Sequence, residues 1–370
     1  MNEIAESVFA HLDKSVSFVK DNTILLCRAG SHSYGTATPD SDEDYKGVCM
    51  GEKRHYFGSA VFEQAEMKKP DTVVFEIRKY FRLCAAANPN VLEALFVDPS
   101  DQLLVSPIGE KLIENRDKFL SKRVKHTLCG YAHSQVSRMK RHREWLLHAV
   151  DSFPTRAELG LPERTLIPQD QMQALQSEID KQLDRYNFDW LDELSEAMKI
   201  KVRNAMSEML AELKITTEDM WLSAARKIGM SDNFIQLMQK EREYTNKKRE
   251  YEQYQEWKRN RNPKRAADEA KWGFDRKHAY HLIRLTRMAR EVLTTGKMLV
   301  KRPDAEELIA IRNGAWTFDE IVNFAESEDK ALNPIYEACT ILPKTPDFEA
   351  LEELCISLVD LHLRGQLYGQ

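Results

Sequence analysis

Hydrophobic positions divide the chain into a mixed N-terminal part and a helical remainder. Residues 4–20 repeat apolar side chains at helical spacing, which predicts one amphipathic helix. Short apolar runs rich in β-branched and aromatic residues then predict three strands, at 23–27, 44–50 and 72–77. Residues 51–70 are predicted to form a hairpin or an irregular excursion, and a second helix is expected to begin at Ile77. The N-terminal pattern therefore indicates a small mixed α/β domain.

Beyond about residue 110 the pattern is helical and is broken by proline-rich segments. Pro154, Pro162 and Pro168 predict a loop over 155–170. Later helices are expected at 277–296, 304–312, 317–329 and 347–364. The whole chain is thus predicted to be α+β. Four parts are expected. They are a mixed-sheet domain at 1–108, a helical extension packing on it at 109–155, a charged helical insertion at 156–265 and a C-terminal helical domain at 266–370.

Composition excludes several classes of protein. The 370 residues are 42% hydrophobic and 31% charged, with a net charge of −5, so any nucleic-acid contact must come from local basic patches. The six cysteines are scattered without metal-binding spacing, which predicts reduced thiols. The N-terminus lacks a basic leader, and no apolar run reaches the roughly 20 residues of a membrane span. We therefore expect a cytoplasmic protein that does not contact membranes.

The candidate chemistry lies in Gly30-Ser31-His32-Ser33-Tyr34-Gly35, followed by Ser41-Asp42-Glu43-Asp44. Because side chains alternate along a strand, Asp42 and Asp44 are expected on one face, with Glu43 pointing away. Two such carboxylates suit a pair of Mg²⁺ ions, with Mn²⁺ as the alternative, and glycine lets backbone N–H groups approach a triphosphate. The arrangement predicts metal-dependent phosphoryl transfer.

A third carboxylate, Glu76, lies inside an apolar run. A buried ionised carboxylate is costly unless it is paired or binds metal, so Glu76 is a candidate metal ligand and catalytic residue with Asp42 and Asp44. The alternative interpretation is a carboxylate at the start of a helix. Glu63 and Asp71 are the substitutes if Glu76 does not serve.

These motifs resemble the nucleotidyltransferase superfamily that contains DNA polymerase β, and more closely its predicted RNA-repair-pathway family. The residues that carry the likeness are Gly30–Val48, Asn88–Phe96, Gly130–Gln135 and Lys277–Leu285. It covers roughly 22–150 and 275–325, and it departs from the superfamily at Glu43, where an apolar residue is usual. The charged middle of the chain, about 160–265, matches nothing in it.

The resemblance implies a palm-like catalytic domain at 1–108. It also implies in-line attack of a hydroxyl on the α-phosphate of a nucleoside triphosphate, with two bound metal ions and release of pyrophosphate. Gly30, Ser31 and Tyr34 would then be nucleotide-binding residues, although packing that sets the shape of the loop is the alternative for Tyr34. The expected acceptor is an RNA or tRNA 3′ end. A protein or small-molecule acceptor, and a catalytically silent nucleotide- or RNA-binding adaptor, remain alternatives.

Basic residues supply further candidates for phosphate contacts. Lys277, His281 and Arg284 share one helical face and are candidate nucleotide-binding residues, although an ordinary solvated face is the alternative. Lys46 is either a phosphate contact or a surface charge. Two basic stretches, at 125–143 and 240–265, suit RNA; the tyrosines of the second are also spaced as helix core positions. The oligomeric state is left open.

Overall fold

The computed structural model describes residues 3–39, 41–165, 173, 177, 231–261 and 263–368. The chain divides into two compact units. The first comprises Met1–Leu147 and Asn262–Gln370, and the second comprises His148–Arg261. A five-stranded mixed sheet near the N-terminus and a large helical region confirm the predicted α+β class. The four predicted domain boundaries stay predictions, and most of the predicted insertion lies outside the described residues.

A single mixed sheet organises the N-terminal part of the first unit. Its strands are β1 (Thr23–Ala29), β2 (Asp44–Cys49), β3 (Gln64–Lys68), β4 (Asp71–Glu76) and β5 (Gln102–Val105), in the order β3-β4-β2-β1-β5. The pairing of β2 with β4 is parallel, and the other pairings are antiparallel. The sequence predicted β1, β2 and β4. It missed β5, and where β3 lies it predicted only a hairpin or an irregular excursion. Both missed strands lie at the edges of the sheet.

Both faces of the sheet are buried, which explains the continuous apolar run of β1. Leu25 and Cys27 belong to the main core beneath the helical region, whereas the intervening Leu26 belongs to a smaller core. On β2, Val48 lies in the main core and Cys49 in the smaller one. Since side chains alternate along a strand, Asp44 and Val48 point to the same face of the sheet. Asp44 therefore faces the helical region.

Short helices complete the N-terminal part. They are α1 (Glu3–Val8), α2 (Phe18–Asn22), α3 (Gly30–Tyr34), α4 (Lys53–Phe57), α5 (Ile77–Ala85) and α6 (Pro89–Leu92). The single helix predicted over 4–20 is wrong. Asp13 accepts a hydrogen bond from the Ser15 N–H at 2.8 Å and starts a separate 3₁₀ turn, so the repeat is divided between α1, α2 and two 3₁₀ turns. Periodicity alone does not reveal such a local capping interaction.

Longer helices form the rest of the first unit. They are α7 (Pro107–Glu114), α8 (Arg123–Leu147), α10 (Pro263–Trp272), α11 (Arg276–Thr295), α12 (Ala305–Arg312), α13 (Phe318–Ala338) and α14 (Phe348–Tyr368), while α9 (Asp232–Asn260) lies in the second unit. Asp275 caps the start of α11, and Gly296 ends it with φ = +70°. The helix predicted at 317–329 is longer in the structure: it continues through Pro334 and ends at Ala338. The central helix α11 packs on α8, α12 and α13.

All six cysteines are free thiols, as predicted. Within the described ranges, every helix is too short or too polar to span a bilayer.

Candidate active site

Gly30 lies directly against the carboxylate of Asp44. It has φ = +64°, and a Cβ atom built on it would lie 2.5 Å from Asp44 Oδ2. A side chain at position 30 would fit only if the Asp44 carboxylate moved, so both the positive φ and the position of that carboxylate favour glycine here. The backbone at Gly30 and the carboxylate at the start of β2 therefore share one small site. This is the juxtaposition that the two sequence motifs predicted.

Asp42 and Asp44 lie on either side of the point where β2 begins. Asp42 is exposed and precedes the strand, and Asp44 is half-buried at its first position. Between them Glu43 turns the other way and accepts a hydrogen bond from the Tyr45 hydroxyl at 2.5 Å. Together with burial, that carboxylate raises the pKa of Tyr45 to about 12. The prediction that Glu43 points away from the paired aspartates therefore agrees with the structure.

Asp71 is the carboxylate that the fold brings beside Asp44. In the parallel pairing of β2 with β4, Asp44 is the register partner of Asp71. Register partners in neighbouring strands project to the same face, so the two carboxylates lie side by side at one end of the sheet. Asp71 is exposed, whereas Asp44 is half-buried. From sequence alone, Asp71 is a candidate only as a substitute for Glu76.

The structure does not bring Glu76 to the aspartates, and this expectation is corrected. Glu76 is the register partner of Cys49, five residues further along the strand pair, which places it about 16 Å from the Asp71 position. An odd separation also turns it to the opposite face. Only 2% exposed, it caps α5 by accepting hydrogen bonds from the Arg78 and Lys79 N–H groups, and it pairs with the Arg78 side chain at 3.0 Å.

The electrostatics of Asp44 are those of a crowded carboxylate. Burial, followed by the nearby Asp71 and Asp42, raises the pKa of Asp44, while Lys277 and Lys46 act in the opposite sense. Lys46 follows Asp44 on the same face of β2, and its ammonium donates to the Asn90 carbonyl. Burial lowers the pKa of this lysine. Lys277 comes from the first turn of α11, so the C-terminal helices contribute charge to the N-terminal site.

The chemistry of this donor set fits a hydrated Mg²⁺ ion. Within the described ranges, no three His, Cys, Asp or Glu side chains are grouped closely enough to hold a metal by themselves. Mg²⁺ rarely uses such an all-protein cage; it is held by one or two carboxylates, with water and substrate phosphates as the remaining ligands. Asp42, Asp44 and Asp71 supply such oxygens, and a cation would relieve their mutual repulsion. The residues present therefore fit the ion.

The predicted basic face of α11 divides into an exposed and a buried part. Lys277 is exposed, whereas Arg284 is only 2% exposed and pairs with Glu93 at 2.6 Å. Arg284 is therefore corrected from a phosphate contact to an internal ion pair. His281 lies between them. Burial, and then the positive charges of Arg284, Lys277, His278 and Arg312, lower its pKa well below the ordinary value.

Tyr34 is also internal. It is 6% exposed, and its ring packs under Arg284 with 3.7 Å between the guanidinium carbon and the ring centroid. Its predicted direct contact with nucleotide is replaced by this packing. Arg312, at the end of α12, is the cation that sequence analysis missed. Its proximity to His281 depends on how α12 packs against α11, which no local pattern reveals.

The two basic stretches are partly used for packing. In α8, Lys125 lies 5.2 Å from the Tyr336 ring and Arg143 lies 4.6 Å from the Phe318 ring, while Arg138 is exposed. These cation–π contacts help to hold α8 against α13. Positive charge on this helix is therefore divided between structure and surface.

In the second unit, the aromatic residues of α9 are mainly packed. Tyr254 is 5% exposed, the Tyr251 ring lies 5.3 Å from the Phe153 ring, and Arg156 lies 5.2 Å from the Tyr244 ring. The structure thus favours core packing over base-stacking platforms for these tyrosines. The part of the stretch at residues 262, 264 and 265 lies outside the described side chains.

Comparisons with known proteins agree with this geometry. Residues 1–149 match the model of the RNA repair pathway DNA polymerase beta family. An uncharacterized 38.9 kDa protein of Enterobacteria phage T4, from the nrdC–mobD intergenic region, is 25% identical over 131 residues. The match covers 31% of this chain and 38% of that protein, so the chain spans well under half of this relative's length. No solved structure matches the chain. Residues 1–149 therefore match the family that the sequence resembles, and this match is consistent with a nucleotidyltransferase of the polymerase β superfamily.

Proposed function

We propose that this protein is a Mg²⁺-dependent nucleotidyltransferase that transfers a nucleoside monophosphate from a nucleoside triphosphate to a hydroxyl group at an RNA end. The family match supports the reaction class. The observation that carries the proposal is the contact between Gly30 and Asp44, where a Cβ would lie 2.5 Å from the carboxylate. Because Gly30 has no side chain, the backbone of the turn and the Asp44 carboxylate lie close enough for one phosphate to contact both N–H groups and a carboxylate-bound cation.

Each residue of the site has a role in this proposal. Asp42 and Asp44 would hold Mg²⁺, which when bound neutralises charge on the triphosphate and favours ionisation of the attacking hydroxyl. The Gly30–Ser31 backbone and Lys277 would bind the triphosphate. The acceptor oxygen forms a bond to the α-phosphorus, the bond to the bridging oxygen breaks, and pyrophosphate leaves. The acceptor proton would pass to Asp71, which is exposed beside Asp44.

Support for RNA as the acceptor is of a different kind. The name of the matched family refers to an RNA repair pathway. On α8, Arg138 is exposed at the surface. Phosphate backbones are bound by such cations without regard to sequence. An RNA 3′ end also presents the hydroxyl nucleophile that the reaction needs.

The test is transfer of α-³²P label from each nucleoside triphosphate to RNA, tRNA and protein acceptors, with Mg²⁺ or with chelator. We expect label on RNA with the wild-type chain, and at least about 10³-fold less with Asp44→Asn, because the ion loses its central ligand. Asp71→Asn should reduce the rate as well. Glu63→Gln is the matched control, since Glu63 is an exposed carboxylate paired with Lys79 rather than with the site.

Other outcomes decide between the alternatives. Label on protein instead of RNA would make the acceptor a protein and contradict this proposal. Absence of metal-dependent transfer to any acceptor, together with tight nucleotide binding, would identify an adaptor. Transfer that survives Asp44→Asn at the wild-type rate would place the chemistry elsewhere in the chain.

A further inference from the structure

A buried polar network lies behind the Gly30–Ser31 turn. Glu93 accepts a hydrogen bond from the Tyr34 hydroxyl at 2.6 Å through one oxygen and pairs with Arg284 at 2.6 Å through the other. All three side chains are nearly inaccessible, with exposed fractions of 6%, 5% and 2% for Tyr34, Glu93 and Arg284. Burial lowers the pKa of Arg284, but the Glu93 carboxylate outweighs it and the net pKa is raised. The network therefore keeps a charged pair inside the core.

The three members come from three separate segments of the chain. Tyr34 ends α3, which begins at Gly30; Glu93 follows α6; and Arg284 lies two helical turns after Lys277 on α11. The network is thus one internal link between the turn that would bind phosphate and helix α11, which carries the exposed Lys277.

Further hydrogen bonds join the same segments. The Thr36 hydroxyl lies 2.6 Å from the Tyr280 hydroxyl of α11, and the Arg302 N–H donates to the Tyr34 carbonyl at 3.0 Å. The end of α3 is therefore held by hydrogen bonds to Tyr280 and Arg302, which belong to the C-terminal part of the first unit. The side chains of this network are all buried, so a substrate has little access to them.

The network is a poor device for stability alone. A buried ion pair is often no more stabilising than apolar residues of the same volume, and its best-attested use is to fix one arrangement. Within the described part of the chain, the buried Nε of Arg284 lacks a hydrogen-bond partner, which adds to the cost. A costly, well-oriented pair at the junction of α3 and α11 indicates positioning.

We infer that Tyr34, Glu93 and Arg284 are positioning residues, which hold the Gly30–Ser31 turn and Lys277 at the spacing that one triphosphate requires. The inference rests on the proposed function. Loss of the network should weaken triphosphate binding, because the two halves of the phosphate site would no longer be held in register. It should leave binding of the cation alone unchanged, because Asp42, Asp44 and Asp71 lie on the sheet and its connecting loop.

The principal variant is Tyr34→Phe, which removes one hydroxyl from the network and retains the ring under Arg284. Its matched control is Tyr80→Phe: Tyr80 is 1% exposed, and its hydroxyl donates to the Val91 carbonyl of α6 at 3.3 Å, outside the network. We expect Tyr34→Phe to raise the KM for the nucleoside triphosphate about five- to tenfold while kcat changes less than twofold. Tyr80→Phe should change neither.

Two further variants keep the test decisive if larger changes affect folding. Arg284→Met should raise the KM, and Arg284→Lys, which retains the charge, should raise it less, provided that both fold as judged by circular dichroism. Mn²⁺ binding alone, followed by electron paramagnetic resonance, should be the same in wild type and Tyr34→Phe. A purely structural role would instead lower Tm and reduce the active fraction, with KM unchanged.

The outcomes separate the two proposals. If the wild type transfers label but Tyr34→Phe and Arg284→Met both retain the wild-type KM, the positioning role is wrong and the enzyme assignment stands. An equal rise in KM in Tyr34→Phe and Tyr80→Phe would also contradict positioning, since loss of any buried hydroxyl would then have the same effect. If the wild type neither transfers label nor binds Mn²⁺–ATP in an equilibrium assay, both proposals fail.

Discussion

The parallel strands β2 and β4 carry acidic residues at both ends of their pairing, and the two ends have different surroundings. At one end Asp44 and Asp71 are register partners, accessible to solvent, and crowded by like charge. At the other end Glu76 is buried, caps α5 and pairs with Arg78. The comparison shows that the role of a buried carboxylate follows from the groups that contact it. Each oxygen of Glu76 accepts a hydrogen bond within the protein. Asp44 instead lies near other carboxylates, whose repulsion a bound cation would relieve.

The largest expected contrast is between substitutions at these two ends. Asp44→Asn should reduce transfer by at least about 10³-fold, as described above. It should not lower Tm, because it removes a carboxylate whose charge is disfavoured by burial. Glu76→Ala should keep kcat within about twofold but lower the free energy of unfolding by about 1–2 kcal/mol, because α5 loses its cap. Urea denaturation and transfer assays on both variants measure this. Loss of activity in folded Glu76→Ala would restore Glu76 as a ligand.

The next effect concerns the glycine beside Asp44. Gly30→Ala should cost about 1 kcal/mol of stability from its positive φ and should also reduce kcat/KM by about tenfold or more, because the new methyl group displaces the carboxylate. Gly35→Ala is the matched control. Gly35 has φ = +72°, but its nearest contact would be Ala305 at 3.8 Å. It should lose similar stability and retain activity; equal loss of activity in both variants would remove the significance of the Asp44 contact.

A smaller effect is expected from the cation itself. Mg²⁺ at ten times its dissociation constant should stabilise the wild-type chain by about 1.4 kcal/mol, seen as a rise in Tm, because it binds the native carboxylates. Asp44→Asn should not respond, and Glu63→Gln should respond as the wild type does. A Tm shift that is the same in all three proteins would indicate non-specific binding of the ion.

The smallest effect is the pH dependence of stability without metal. The pKa of Asp44 is raised in the fold, so its protonated form is the favoured one, and its ionisation destabilises the native state above the folded pKa. Asp44→Asn should therefore be more stable than the wild type near pH 7. The difference should vanish as pH falls below about 3.9, the ordinary value for aspartate. Urea midpoints from pH 3 to pH 7, with Glu63→Gln for comparison, measure this; a difference that grows at low pH would contradict it.

The sequence predicted those features that depend on short spacing. Gly30, Asp42 and Asp44 are close along the chain, and alternation along one strand was enough to orient Glu43. Glu76 failed because its position depends on the pairing register of β4, which decides both the end and the face of the sheet. The same register places Asp71 beside Asp44. Without knowledge of the strand pairing, Asp71 and Glu63 were equivalent candidates for the third carboxylate.

Helical periodicity located α11 but did not reveal its surroundings. Lys277 and Arg284 share a face in projection, yet one is exposed and the other is buried by Glu93, which is distant in sequence. A buried arginine is expected only where a carboxylate meets it, and that meeting is a tertiary event. Arg312 was missed for the same reason. Spacing therefore predicts which residues share an element, and packing decides what they touch.

The position of Arg284 and Lys277 late in the chain has a consequence for biosynthesis. The aspartates and the Gly30 turn leave the ribosome early, but α11 follows only after the whole of the second unit has been translated. A nascent chain that stops before α11 would present the acidic end of the sheet without Lys277 and with Glu93 lacking its arginine. A phosphate site of the proposed kind would therefore be complete only after the chain that follows the second unit has been synthesised.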